Sequence, residues 1–384
     1  MIGIREYVET TRRLIGAPFP QMEEIYRHNY ERIRGVLNWP GSFPELFISY
    51  STNRTCEIVR LGDQHYLIYD QYLGSSLNFL NRVYLGSSQR DAIRFGYRIL
   101  AEQLQLQNEL KLALICAVAY SIWRPDSEIP AREPSFELRC RMTHVQEIYV
   151  VVHELFHFSL AGPGKNEVLA PFREMVRSYY REWLSDTVTP AEYEAEYRRK
   201  GLDRILSEEA IAADVKDAPA ILGSLVEFLD SRDELVEEVA CDLAAAFYTI
   251  SIARAEGVPF RTCLLAILVG LHSLRCLSVL HDWSAARLKF DDAAAAQSTT
   301  EGAIRLMLTR KLMSQQLRSD GRTRIADWMH SDKVNARFQE LILTPILYML
   351  PQMVREVLEK ADSVPTYPDA EANEMIDGLT AGPF

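Results

Sequence analysis

The chain has 384 residues, enough for a large hydrophobic core and for one large domain or two ordinary ones. Hydrophobic residues make up 48% and charged residues 25%, values typical of folded globular proteins. The net charge of −11 argues against nucleic-acid binding and against docking on an anionic membrane, because both normally require a basic surface.

The lengths of the apolar segments and the distribution of cysteines predict a cytoplasmic protein. Residues 262–274 are the longest uncharged run in the most apolar region, but they lie between Arg261 and Arg275 and are too few for a membrane span. The N-terminus shows no apolar signal-peptide core. The six cysteines are scattered, without a Cys-x-x-Cys pair. We therefore expect a buried helix at 262–274, no membrane span, and free thiols in a reducing cytoplasm.

Residues 1–43 predict two amphipathic helices, and the pattern then changes to that of a small sheet. Three short segments are rich in β-branched and aromatic residues and predict strands: 46–50, 56–61 and 65–70. Gly62 and Asp63 separate the last two segments and predict a hairpin. Residues 77–85 are a candidate for one further strand.

The rest of the chain has mainly helical periodicity. Residues 88–123 predict one long helix or two, and 233–255 and 259–283 predict two more. The fold class is therefore α+β and predominantly helical. We divide the chain into N-terminal helices (1–43), a core (44–285), a C-terminal helical region (286–362) and a flexible tail (363–384), the last on its prolines, glycines and acids.

One stretch of the core carries the pattern His-Glu-x-x-His. His153 and His157 are four residues apart, so on a helix both imidazoles face one metal ion. Glu154 projects about 100° around the axis, where a carboxylate can take a proton from a metal-bound water. Residues 142–160 contain no Pro or Gly, which favours the required helix. The alternative is a pair of satisfied core histidines beside a solvated glutamate.

Catalytic zinc usually has three protein ligands, so a third ligand is expected on another element. On a helical wheel, Glu238 and Asp242 lie on or beside the apolar stripe of the helix 233–255, whereas Glu237 lies on the opposite side. Glu238 can ligate the metal, and Asp242, one turn later, can accept the ring N–H of His153. The alternative is an ordinary group of acids near a helix start.

These two segments together resemble the gluzincin group of zinc metallopeptidases, in which His-Glu-x-x-His is followed by a glutamate and, four residues later, an aspartate. The resemblance implies one Zn²⁺ ion bound by His153, His157 and Glu238, with Glu154 as the catalytic base and Asp242 orienting a ligand. It also implies a zincin-like core in which the edge strand of a small sheet pairs with an extended substrate. Residues 56–70 are the candidates for that edge.

The sequence therefore predicts a zinc metallopeptidase that hydrolyses protein or peptide substrates, as a selective intracellular protease of regulation or defence. A further donor for the oxyanion is expected, and three residues are candidates: Tyr69, His272 and His281. Two alternatives remain. One is a non-catalytic helical binding protein with a structural or vestigial zinc site, and the other is a zinc hydrolase that acts on a non-peptide amide.

Overall fold

The computed structural model describes residues 3–39, 42–86, 89–123, 135–161, 169–185, 231–290, 293–330, 332–359 and 365–380, with isolated positions between 191 and 229. Within these ranges the chain is mostly helical and contains one three-stranded sheet. The prediction of a predominantly helical α+β protein is confirmed at this level.

The N-terminal part contains the sheet and five helices. The strands are β1 (Glu45–Ser49), β2 (Cys56–Leu61) and β3 (Gln64–Asp70). The helices are α1 (Ile4–Thr11), α2 (Pro20–Leu37), α3 (Gln71–Gly86), α4 (Gln89–Leu106) and α5 (Leu110–Ile122). Each of the three predicted strands thus falls within one residue of an observed strand.

The remaining described helices follow the sheet-containing part. They are α6 (Phe136–Ala161), α7 (Ala170–Ser185), α8 (Asp233–Ala255), α9 (Phe260–Ala285), α10 (Ala293–Ser319), α11 (Thr323–His330), α12 (Asp332–Phe338), α13 (Leu350–Leu358) and α14 (Asp369–Thr380). Two π-helical turns join α12 to α13: Gln339–Leu343 and Pro345–Met349. The second of these turns begins at Pro345, which has no N–H to donate to the ordinary α-helical hydrogen-bond ladder.

The sheet has the strand order β1-β3-β2. β2 and β3 pair antiparallel, and Leu61 opposite Gln64 closes the predicted hairpin. Gly62 takes a φ of 63°, a conformation that L side chains rarely adopt. β1 pairs with β3 in parallel, so β2 forms one edge of the sheet.

Helix α6 lies along this sheet. The hydroxyl of Tyr69, near the end of β3, is 3.1 Å from Oε1 of Glu147 in α6. The ring of His65, near the start of β3, is 5.0 Å from the ring of Phe158. Because the late residue of β3 meets the early residue of α6, the helix runs antiparallel to the strand.

The prediction of a strand at 77–85 is wrong, because these residues lie in α3. Leu77 and Leu80 are fully buried and Tyr84 nearly so, at the three-to-four-residue spacing of a helix face. A short, mostly apolar run in a helix buried on several sides resembles a buried strand, since little polar periodicity remains to distinguish them.

The predicted flexible tail is corrected for residues 369–380, which form α14. Ala372 and Ile376 of this helix are buried, and Asp377 forms an ion pair of 2.7 Å with Arg13. Composition suggested a solvated segment, but two apolar residues one turn apart are enough to attach one face of the helix to the protein.

In the part of the chain that the structure describes, two stretches are apolar and long enough to cross a membrane by length and composition alone. They are Phe260–Ala285, in which 78% of the most apolar window is buried, and Ala336–Leu358, in which 44% is buried. Core helices pass the same test. The 26-residue helix α9 coincides with the predicted helix 259–283 to within two residues at each end.

The chain divides into two compact units: Met1–Phe158 with Ala245–Leu306 and Lys333–Phe384, and Ser159–Ala244 with Met307–Asp332. The first unit contains the sheet, α1 to α5 and most of the buried apolar residues. In the second unit, Arg177 of α7 pairs with Asp233 at 2.6 Å.

Candidate metal centre

The two histidines of the motif lie on α6 with their rings turned toward each other. Their Nε2 atoms are 3.0 Å apart, and the side chain of His153 is 9% exposed. Two nitrogens that bind one tetrahedral zinc ion at about 2.0–2.1 Å would lie roughly 3.3 Å apart. The i, i+4 spacing on a regular helix therefore brings the two nitrogens to nearly the separation that a shared ion requires.

The third member of the group is Glu238 of α8. One ligand atom each from His153, His157 and Glu238 all lie within 4.8 Å of one another. His153 is buried, and the other two are half-buried. Such a donor set of two imidazole nitrogens and one carboxylate oxygen can hold a divalent metal ion. It suits zinc with an open fourth position, and it also suits iron(II).

Glu154 projects from a neighbouring face of α6 and is half-buried. Its carboxylate lies close to the thiol of Cys56 on β2. The pKa of that thiol is raised well above its usual value, mainly by burial and secondly by the negative charge of Glu154. The negative charge of the motif glutamate therefore acts on the first residue of β2.

Another glutamate on α6, Glu147, was not among the site residues predicted from the sequence. Oε1 of Glu147 accepts hydrogen bonds from the hydroxyls of Tyr26, at 2.6 Å, and Tyr69, at 3.1 Å. Burial raises its pKa, although these hydrogen bonds and the charge of His144 oppose the rise. A helical wheel of α6 would have placed Glu147 beside the motif, because it lies seven residues before Glu154 and therefore on the same face of the helix.

Asp242 and Glu237, on either side of Glu238 in α8, have contrasting surroundings. Asp242 is fully buried, as its position in the apolar stripe indicates. Glu237 is 39% exposed and forms an ion pair with Arg173 of α7. The hydrogen bond from His153 to Asp242 stays a prediction.

The structure gives the three candidate oxyanion donors other surroundings. Tyr69 directs its hydroxyl to Glu147. The ring of His272 stacks on Phe338 with their centroids 4.6 Å apart. Burial lowers the pKa of His281 to about 4, and the charge of Arg54 adds to this effect. These positions correspond to packing and internal hydrogen bonding, and we assign none of the three a role at the metal centre.

Aromatic side chains fix the part of α6 that lies between the two histidines. The ring of Phe156, which is fully buried, lies 5.3 Å from that of Trp39 and 5.4 Å from that of Tyr248. Tyr149, one turn before His153, lies 6.2 Å from it, ring to ring. Because Phe156 is held on two sides, the rotation of α6 about its axis is set, and with it the direction of both imidazoles.

Comparisons of the chain with protein-family models, with curated proteins and with solved structures find no match. The assignment of function therefore depends on the geometry described above. That geometry is one group of two imidazoles and a carboxylate, with a further glutamate beside it.

Proposed function

We propose that this protein is a zinc-dependent metallopeptidase with a zincin-like core. The observation that carries the proposal is the convergence of His153, His157 and Glu238 on one point, although 81 residues separate the second histidine from the glutamate in sequence. Two neutral imidazoles and one carboxylate are the ligands of catalytic zinc in peptidases.

The neighbouring Glu154 favours hydrolysis over a purely structural role for the site. A zinc ion bound there would supply a Lewis acid that polarises a substrate carbonyl and acidifies water. Glu154 would accept the proton from the attacking water and later deliver it to the leaving amine. The effect of its charge on the Cys56 thiol supports a position near the sheet, where a substrate backbone would lie.

The edge of the sheet provides a place for an extended peptide. β2 pairs with β3 along one side and is the outer strand of the sheet. A substrate that adds to its other side would gain main-chain hydrogen bonds independent of sequence, while side-chain pockets would select the residues. Since Cys56 belongs to β2 and feels the charge of Glu154, a substrate on this edge would pass near Glu154.

Substitution of Glu154 by Gln tests the proposal. The amide cannot accept the proton, so hydrolysis of a quenched fluorescent peptide library should fall by at least about a hundredfold, the lower limit for general-base catalysis. Zinc content and melting temperature should stay unchanged. Glu237→Gln, one residue before Glu238, is the matched control and should retain full activity.

Two results would contradict the proposal. The first is equal hydrolysis by the zinc-loaded protein and by Glu154→Gln, since a contaminating protease would then be responsible. The second is a zinc-loaded protein that cleaves no peptide in the library, which would favour a helical binding protein with a structural zinc ion.

A further inference from the structure

A second site lies in the first unit, near the N-terminal end of α6. A cavity of about 810 Å³ opens there among α3, α4, α14 and the segment that follows β1. Four arginines line it: Arg13, Arg82, Arg98 and Arg139. Two carboxylates, Glu102 and Asp377, are among the lining residues that the structure describes. Its lining therefore carries an excess of positive charge, in a chain with a net charge of −11.

This cavity is separate from the metal centre. Arg139 lies fourteen residues before His153 on the same helix, which at 1.5 Å per residue is about 21 Å along the axis. A ligand of ordinary size in the cavity would not reach the metal group. The cavity therefore needs an explanation of its own.

Fixed charges form the inner wall. Arg98 donates from Nε to Glu102 at 2.8 Å, and Arg54 forms an ion pair with the same carboxylate. The side chains of Arg98 and Glu102 are nearly fully buried, and that of Arg54 is fully buried. Of these three residues, Arg98 and Glu102 line the cavity, and the fixed position of the Arg98 guanidinium favours recognition of a planar anion.

Aromatic rings form a second wall that runs from the mouth to the interior. The ring of Phe19, which is 55% exposed, lies 5.4 Å from that of Tyr50 in an edge-to-face contact. Tyr50 in turn lies 5.5 Å from Tyr72, and the guanidinium of Arg54 lies 4.4 Å from the Tyr72 ring. An exposed ring at the mouth and arginines inside together match a ligand with one apolar end and one anionic end.

We propose that this cavity binds a small organic anion that carries a planar ring, such as a mononucleotide or an aromatic carboxylate. The cavity volume falls in the range of about 300–1,000 Å³ that small-molecule sites occupy. The arginines bind the anionic group through paired N–H donors, and the aromatic wall packs against the ring. Nothing in this proposal depends on peptidase activity or on zinc.

Calorimetric titration of the full chain with adenosine 5′-monophosphate and with naphthalene-2-carboxylate tests the proposal. At least one of the two should bind, and which one it is identifies the source of the negative charge. Arg82→Glu should weaken this binding at least tenfold, because Arg82 is half-buried at the cavity wall. Arg82 is preferred over Arg98, which is tied to the core through Glu102.

Arg261→Glu at the exposed start of α9 is the matched charge-reversal control and should bind as the unmodified chain does. Three results would overturn the proposal. The first is that neither anion binds at roughly 10 mM, a concentration that would saturate a site with a Kd of 1 mM. The second is that adenosine binds as tightly as its monophosphate and the carboxylate does not bind, which would show that charge has no part in binding. The third is that Arg82→Glu binds as well as the control does, although its melting temperature shows that it is folded.

Discussion

The hydroxyl of Tyr26 donates a hydrogen bond of 2.6 Å to Oε1 of Glu147. Glu147 is half-buried on the same face of α6 as Glu154, and burial raises the pKa of its carboxyl group. A buried carboxylate of this kind holds its proton to a higher pH in the folded chain than in the unfolded chain. The burial of Glu147, which outweighs the opposing effect of the Tyr26 hydrogen bond on its pKa, therefore predicts how stability depends on pH.

We expect the free energy of unfolding to fall as the pH rises above about 4.5, because the folded state binds more protons than the unfolded state in that window. Glu147→Gln removes the titrating group and should flatten this dependence. Urea unfolding between about pH 4 and pH 8 measures it. The exposed substitution Glu24→Gln should leave the slope unchanged, and an equal slope in Glu147→Gln would contradict the role of this carboxylate.

Gly74 of α3 leaves the space that this carboxylate occupies. A Cβ at position 74 would overlap Oε1 of Glu147 and come within 3.0 Å of the Tyr69 hydroxyl. Gly74→Ala should therefore destabilise the protein by about 1–3 kcal/mol, measured by urea unfolding. Gly35→Ala in α2 has open space around its Cβ and should stabilise by roughly 0.5–1 kcal/mol. Equal changes in the free energy of unfolding for Gly74→Ala and Gly35→Ala would show that Glu147 moves away from the new Cβ without cost.

Asp242 should increase the metal affinity without binding the metal. Asp242→Asn keeps the size of the side chain but accepts a ring N–H less strongly, so the zinc Kd should rise by about 10–100-fold. Competition with a chelator gives the Kd. Glu234→Gln, at an exposed position of the same helix, is the control. An unchanged Kd in a folded Asp242→Asn variant would remove Asp242 from the metal centre.

The docking of α14 depends on its buried face. Ile376 is fully buried, so Ile376→Ala should cost about 2–5 kcal/mol and speed hydrogen exchange of the α14 amides. Glu374→Ala, on the exposed face, should change stability by less than about 0.5 kcal/mol. If α14 exchanges fully in both variants and in the unmodified chain, this helix is not stably docked.

Local sequence predicted several features of the fold correctly. The hairpin followed from β-branched residues around Gly62, and the convergence of His153 and His157 followed from their i, i+4 spacing. Both are short-range features, set by the geometry of one turn or one helix. The proximity of Glu238 to the two histidines followed from the chemical requirement for a third ligand, together with the gluzincin resemblance.

Long-range packing explains what sequence did not predict. The parallel pairing of β1 with β3 needs a crossover that no local pattern specifies. Glu147 is paired with Tyr26, which lies 121 residues away in sequence. The arginine-lined cavity is formed by residues from Arg13 to Thr380, so only the folded chain assembles it.

The central claim is that His153, His157 and Glu238 together hold one divalent metal ion. Elemental analysis of the purified chain for zinc and iron, after dialysis against buffer without metal, tests it most directly. We predict about one zinc per chain, retained in Glu154→Gln and Glu237→Ala and lost in His153→Ala, His157→Ala and Glu238→Ala. Retention of a full equivalent in folded Glu238→Ala, or the absence of metal from the unmodified chain after loading with zinc, would contradict the claim.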